Sequence, residues 1–136
     1  MTKFESSVKT INSPQESVYN LLSDLTNIES FKDRMPQDLI KDLSFDEDTL
    51  TVSIAPVGKI SFHIIERDPH SCIKFQASNS PVPLNLWIQL VSLDEKSCKV
   101  KITAGVEVNP FMKGMIQKPL KDGLEKMVEV IARLPY

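Results

Sequence analysis

The chain has 136 residues, enough for one domain with a real core, and its 41% apolar and 25% charged content is that of an ordinary globular protein. A net charge of −2 with no basic run gives no reason to expect nucleic acid as a partner. No apolar run approaches membrane-spanning length and Met1-Thr2-Lys3-Phe4 opens no signal region, so cytoplasmic residence without integral membrane association is the expectation.

Phe4 to Ile11 reads as a first strand with loose alternation, and Asn12 ends it. Ser13-Pro14-Gln15-Glu16 is a helix start: Ser13 as N-cap, Pro14 at the first helical position, Glu16 closing a capping box. The helix that follows should bury Val18, Leu21, Leu22 and Leu25. Thr26-Asn27-Ile28-Glu29 repeats the box and predicts a short second helix carrying Ile28, Phe31 and Met35, stopped by Pro36.

A β-meander is expected next. Leu39, Leu43 and Phe45 precede the acidic turn Asp46-Glu47-Asp48. Leu50, Val52 and Ile54 alternate with Thr51 and Ser53 before the turn Pro56-Val57-Gly58. Ile60, Phe62 and Ile64 alternate with Ser61 and His63, then Ile73, Phe75 and Ala77 with Lys74 and Gln76, across the turn Asp68-Pro69-His70. After the looser loop Ser78 to Pro83 come Leu84, Leu86, Ile88 and Leu90. Beyond Asp94-Glu95-Lys96-Ser97, the last strand runs from Cys98 to Val108. Period-two alternation with tight turns marks an antiparallel sheet that buries one face. Trp87 has the outward parity; either a bulge turns it in or it covers the outer face.

The final stretch, Asn109 to Leu134, predicts a long amphipathic helix. Phe111, Met115, Ile116, Leu120, Leu124, Met127, Val128, Ile131 and Leu134 are read as its apolar face. Pro119 lies inside it, so either the helix kinks there or the main helix begins there. Such a helix must lay its apolar face on the sheet. The predicted class is therefore α+β: six or seven antiparallel strands, two short helices after the first, and a long terminal helix packed on the sheet. A single domain, 1–136, accounts for all of it.

The segment Ile11-Asn12-Ser13-Pro14-Gln15-Glu16-Ser17-Val18-Tyr19-Asn20-Leu21-Leu22-Ser23-Asp24-Leu25-Thr26-Asn27 resembles the opening of the START-like (SRPBCC) superfamily. That group includes the Bet v 1 allergens, polyketide cyclase/dehydrase-like proteins and lipid-transfer START domains. Asn109-Pro110-Phe111 followed by a long amphipathic helix resembles its ending. The resemblance spans the chain in element order and rests on structural motifs, without catalytic ones. It implies a helix-grip fold, with a cavity between sheet and helix that takes lipids, sterols, polyketides or other apolar molecules.

No catalytic set stands out from the residues. His63 and His70 read as surface histidines, and no His/Cys/Asp/Glu group has metal-ligand spacing, so no metal or cofactor is expected. Cys72 and Cys98 are too few for a disulfide scaffold and read as reduced strand residues. There is no phosphate loop and no nucleophile elbow. Asp46, Glu47 and Asp48 lack the spacing and the glycine of a calcium loop. Arg34, Glu66 and Arg67 have positions from which they could meet a polar head at a cavity mouth, although solvation is the simpler reading.

The expected partner is an apolar or amphipathic small molecule. Phe62, Ile64, Phe75, Ile88 and Leu90 would form the floor of its site, Met112, Met115 and Met127 the helix wall, and Phe31 part of the entrance. Plain core filling explains the same residues equally well. Two alternatives use the same fold: a cyclase/dehydratase-like enzyme, or a protein-interaction module with no ligand.

Overall fold

The computed structural model of the chain describes residues 2–27, 29, 44–54, 58–80, 83–134 and 136. The predicted short helix with Ile28, Phe31 and Met35, and the positions Arg34, Pro36, Leu39 and Leu43, lie outside the described residues.

The predicted first strand is two strands, β1 (Thr2–Glu5) and β2 (Lys9–Ile11). Ser6 causes the break. Its N–H donates to the Ile102 carbonyl and its hydroxyl accepts from the Ile102 N–H, both at 2.9 Å, so side chain replaces backbone in the ladder. The chain then swings out through Ser7 and the exposed Val8 before pairing resumes.

Helix α1 (Gln15–Leu22) buries Val18, Tyr19 and Leu22. The expected capping box is not used. Pro14 takes the N-cap position, so the helix starts one residue later than predicted, and no side chain caps it. Its extended conformation, φ −61° and ψ 146°, delivers the chain into the first turn without the help of Ser13. A 3₁₀ turn at Leu25–Asn27 is capped by Asp24, whose Oδ1 accepts from the Thr26 N–H at 3.0 Å and from its hydroxyl at 2.6 Å.

The meander follows as β3 (Ser44–Phe45), β4 (Thr49–Ile54), β5 (Gly58–Asp68), β6 (Cys72–Ser78), β7 (Leu84–Asp94) and β8 (Ser97–Val106). Among the described residues the sheet has eight strands, ordered β1-β8-β7-β6-β5-β4-β3, with β2 also on β8. The extra strand over the predicted six or seven comes from the split at Ser6. Every pairing is antiparallel, from Thr2 opposite Val106 to Phe45 opposite Leu50.

The terminal helix α2 (Pro110–Ala132) is continuous through Pro119. The reading in which a separate turn precedes Pro119 is thereby excluded. Asn109 caps it, its side chain accepting from the Met112 N–H at 2.8 Å. Leu124, Val128 and Ile131 are its buried residues, and they pack over β1, β2 and β8. Helix and sheet thus grip each other along the C-terminal half of α2.

Candidate functional site

The concave face of the sheet is set by parity. Phe4, Ile11, Phe62, Ile64, Ile73, Phe75, Leu86, Ile88, Leu90, Val100, Ile102, Ala104 and Val106 are all buried in one cluster with Leu124, Val128 and Ile131. Register brings them together: Ile64 lies opposite Phe75, Phe75 opposite Leu86, Ile88 opposite Ile102, Leu90 opposite Val100. The five floor residues expected from the sequence therefore share one surface. Phe31 lies outside the described residues.

The helix side departs from expectation. Met127 is half-buried against the cluster, and Met112 is half-buried near the start of α2. Met115 is 65% exposed and Phe111 79% exposed, so neither faces the sheet. The cause is helical geometry. At ~100° per residue, Phe111 and Met115 point roughly 140–180° away from Leu124. The wall over the sheet is instead Leu124, Val128 and Ile131, with Ile116 and Leu120 half-buried ahead of them.

The interior is chemically plain. Among the described residues the buried polar ones are Ser6 and Thr103. Ser6 serves the ladder, and Thr103 donates to Gln89 Oε1 at 2.8 Å on the outer face. Cys98 lies in the core, where burial pushes its thiol up and keeps it neutral. The Tyr136 hydroxyl donates to the Ile131 carbonyl at 2.6 Å, and burial, then the nearby Cys98, raises that phenol well above its usual range. An interior of this kind can desolvate and shape an apolar molecule.

Ionisable groups gather elsewhere. His63 is on the convex face, its Nδ1 3.0 Å from Thr49 Oγ1 and its Nε2 2.9 Å from Ser78 Oγ, so the ring bridges β4 and β6. This is a more structured setting than the solvated position expected. His70 sits in its turn at φ 70°, its ring edge-on to Tyr19 with centroids 5.6 Å apart. Trp87 resolves to the outer face, with Lys3 Nζ at 5.6 Å and Lys74 Nζ at 5.4 Å from its ring centroid. Glu66, Asp68, Cys72, Lys74 and Trp87 line a depression of about 150 Å³ there, well below the roughly 300–1,000 Å³ of small-molecule sites. Burial first, then Asp68 and Glu66, raises the Cys72 thiol above its ordinary value. Among the described residues, no group of three His, Cys, Asp or Glu side chains is placed to hold a metal ion.

Arg67 is also committed. A bulge between Ile64 and Glu66 resets the alternation of β5. The Arg67 guanidinium then donates to the Ser23 carbonyl, from Nε at 3.1 Å and Nη2 at 3.0 Å, and pairs with the Asp48 carboxylate. It ties the end of α1 to the β3–β4 turn. No sequence signal marked this role, because it depends on where the bulge falls.

A curved antiparallel sheet closed over by one long C-terminal helix, with the apolar face turned inward, is the Bet v 1-like helix-grip fold. Solved structures agree. Norcoclaurine synthase from Thalictrum flavum, in complex with dopamine and hydroxybenzaldehyde, is similar with a TM-score of 0.77 at 16% identity, over 97% of this chain and 84% of that one. A protein from Thermobifida fusca known from its solution structure matches with a TM-score of 0.68 at 17% identity, over 100% and 97%. DynU16, a protein of the dynemicin biosynthetic locus, matches with 0.67 at 13%, over 96% of this chain and 46% of that one. Comparison of the sequence with protein-family models and with curated proteins gives no match. Among the described residues, no helix is long and apolar enough to cross a membrane.

Proposed function

We propose that the protein binds an apolar or amphipathic small molecule between the concave face of the sheet and α2. The observation that carries this reading is the character of the inward face: Phe62, Ile64, Phe75, Ile88 and Leu90 are buried together, with no buried charged side chain among the described residues. Met127 and Met112 supply adaptable walls at the helix. The likeness to a synthase solved with dopamine and hydroxybenzaldehyde supports a small-molecule role for this fold. Binding would come from desolvation and shape, so affinity should vary little with salt.

The test is a thermal-shift screen of fatty acids, sterols and aromatic polyketides. A binder should raise Tm in wild type and lose that effect in Phe75→Trp and Ile88→Trp, which fill the space. Ile102→Ala should cost about 2–5 kcal/mol in urea unfolding, whereas Phe75→Ala and Ile88→Ala should cost less if they border open space. No stabilising ligand, together with equal losses at all three alanine sites, would show a solid core and defeat the reading.

Catalysis in the same space is a second reading, favoured by the likeness to norcoclaurine synthase. It is separated from simple binding by recovering the ligand after incubation. An unchanged ligand supports a carrier and a converted one an enzyme.

A further inference from the structure

The free edge of β1 carries a feature that ligand binding in the interior does not use. Among the described residues β1 is the last strand on its side of the sheet and pairs with β8 alone. The phase of that ladder follows from Ser6, whose N–H reaches the Ile102 carbonyl. Bonded and unbonded positions alternate along an antiparallel pair. Thr2, Phe4 and Ser6 therefore turn their backbone groups to β8, and Lys3 and Glu5 turn theirs outward. Among the described residues nothing bonds to those outer N–H and C=O groups. Proline, a bulge or a charge that repels its own copy usually blunts such an edge. Thr2–Glu5 has no proline, its register is unbroken, and its exposed charges, Lys3 and Glu5, are opposite in sign. We infer that β1 pairs antiparallel with β1 of a second copy, across a two-fold axis at Phe4, and so joins the two sheets into one.

Register and charge select this occupant. A two-fold axis at Lys3 would set Lys3 opposite its own image, and an axis at Glu5 would do the same for Glu5; like charges oppose both. An axis at Phe4 sets Lys3 opposite the partner's Glu5, and Glu5 opposite the partner's Lys3. It also lets the outward N–H and C=O groups of those residues bond in both directions. Glu5 then stands between the partner's Lys3 and Lys101 of its own sheet, 3.2 Å away. Phe4 meets the partner's Phe4 on the concave side, where it already belongs to the buried cluster. The complement this edge requires, an anion and a cation flanking an apolar residue, is its own sequence read backwards. The strand is four residues long, too little for a permanent interface, so the dimer forms and parts with concentration.

Sedimentation velocity over a concentration series, with amide hydrogen exchange followed by NMR at its two ends, tests this in the absence of any small-molecule ligand. Its outcome is therefore independent of whether the interior binds anything. Wild type should pass from monomer to dimer as concentration rises, and exchange at the Lys3 and Glu5 amides should slow as it does. Lys3→Glu and Glu5→Lys each set like charges opposite one another and should weaken the dimer about tenfold or more. Both residues are exposed, so each variant should keep the wild-type Tm. Mixing the two variants should restore a dimer, because each chain then faces the opposite charge. Wild type that stays monomeric at ~1 mM, the weak end of specific binding, would overturn the inference. So would a dimer whose Lys3 and Glu5 amides exchange as fast as in the monomer, a dimer that both variants keep, or a mixture of the two that stays monomeric.

Discussion

Glu125 is the residue on which the docking of α2 meets a titratable group. Its Oε1 accepts from the Ser7 N–H and its Oε2 from the Ser7 hydroxyl at 2.8 Å, which anchors the helix to the corner between β1 and β2. The backbone bond first, then the hydroxyl, holds its carboxyl below the ordinary value of 4.5. A carboxylate depressed in the folded state stabilises the fold above its unfolded pKa, and the contribution disappears as pH falls through the lower folded value. Glu125→Gln should therefore lower Tm at neutral pH, and the gap to wild type should close below about pH 4, as followed by thermal melts across pH. A gap that stays constant with pH would mean that the carboxylate's charge is irrelevant. Nothing in the sequence pairs Ser7 with Glu125. Two polar residues so far apart can be matched only once the strand break at Ser6 and the angle of α2 are known.

At the scale of the element, α2 shows both how much a periodic pattern tells and where it misleads. Apolar residues at steps of three and four do mark a helix, and it forms over Pro110–Ala132. Counting on from Phe111, however, joins two stripes. Phe111, Met115 and Pro119 make one, and Ile116, Leu120, Leu124, Met127 and Ile131 make the other. The single step from Met115 to Ile116 changes face, and only the second stripe meets the sheet. Pro119 leaves the Met115 carbonyl without its helical donor, yet both residues are exposed, so water can take that place. The helix is also weakened by glycines for which packing gives no reason: a Cβ added at Gly114 or Gly123 meets nothing within 4 Å. Gly123→Ala and Gly114→Ala should each raise stability by about 0.5–1 kcal/mol in urea unfolding. A loss in either case would indicate an occupant of that face which the isolated chain does not hold.

For the whole molecule, α2 is the element without which the sheet's inner face near β8 stays wet. Leu124, Val128, Ile131 and Leu134 are buried in the shared cluster. At about 1.5–3 kcal/mol each, their burial is comparable to the whole net stability of a typical domain. A chain truncated after Asn109 should thus lack a cooperative unfolding transition by circular dichroism, and a sharp transition would show that the sheet stands alone. Much of this architecture was readable beforehand, because alternation at Phe62, Ile64, Phe75, Ile88 and Ile102 fixes which face of each strand is apolar. Of the candidate site, only the shared inward face of Phe62, Ile64, Phe75, Ile88 and Leu90 was readable. Its helix side needed the rotation of α2 about its axis, and the His63 bridge and the Arg67 tie needed cross-strand register and a bulge, which no local pattern carries.

The position of β8 has a consequence for how the chain is made. Thr2 lies opposite Val106, so β1 pairs with β8, a strand synthesised about 100 residues after it. At about 5–20 residues per second, Phe4 and Ile11 would wait roughly 5–20 s before their neighbours emerge from the ribosome. The meander from β4 to β7 can pair as it appears, since each strand's partner is adjacent in sequence, while the N-terminal strands remain loose and sticky. Closure of the sheet, together with the arrival of α2 over β1, β2 and β8, then falls at the end. Such long-range pairing slows folding and makes the waiting N-terminal segment the part most exposed to chaperones and to misassociation.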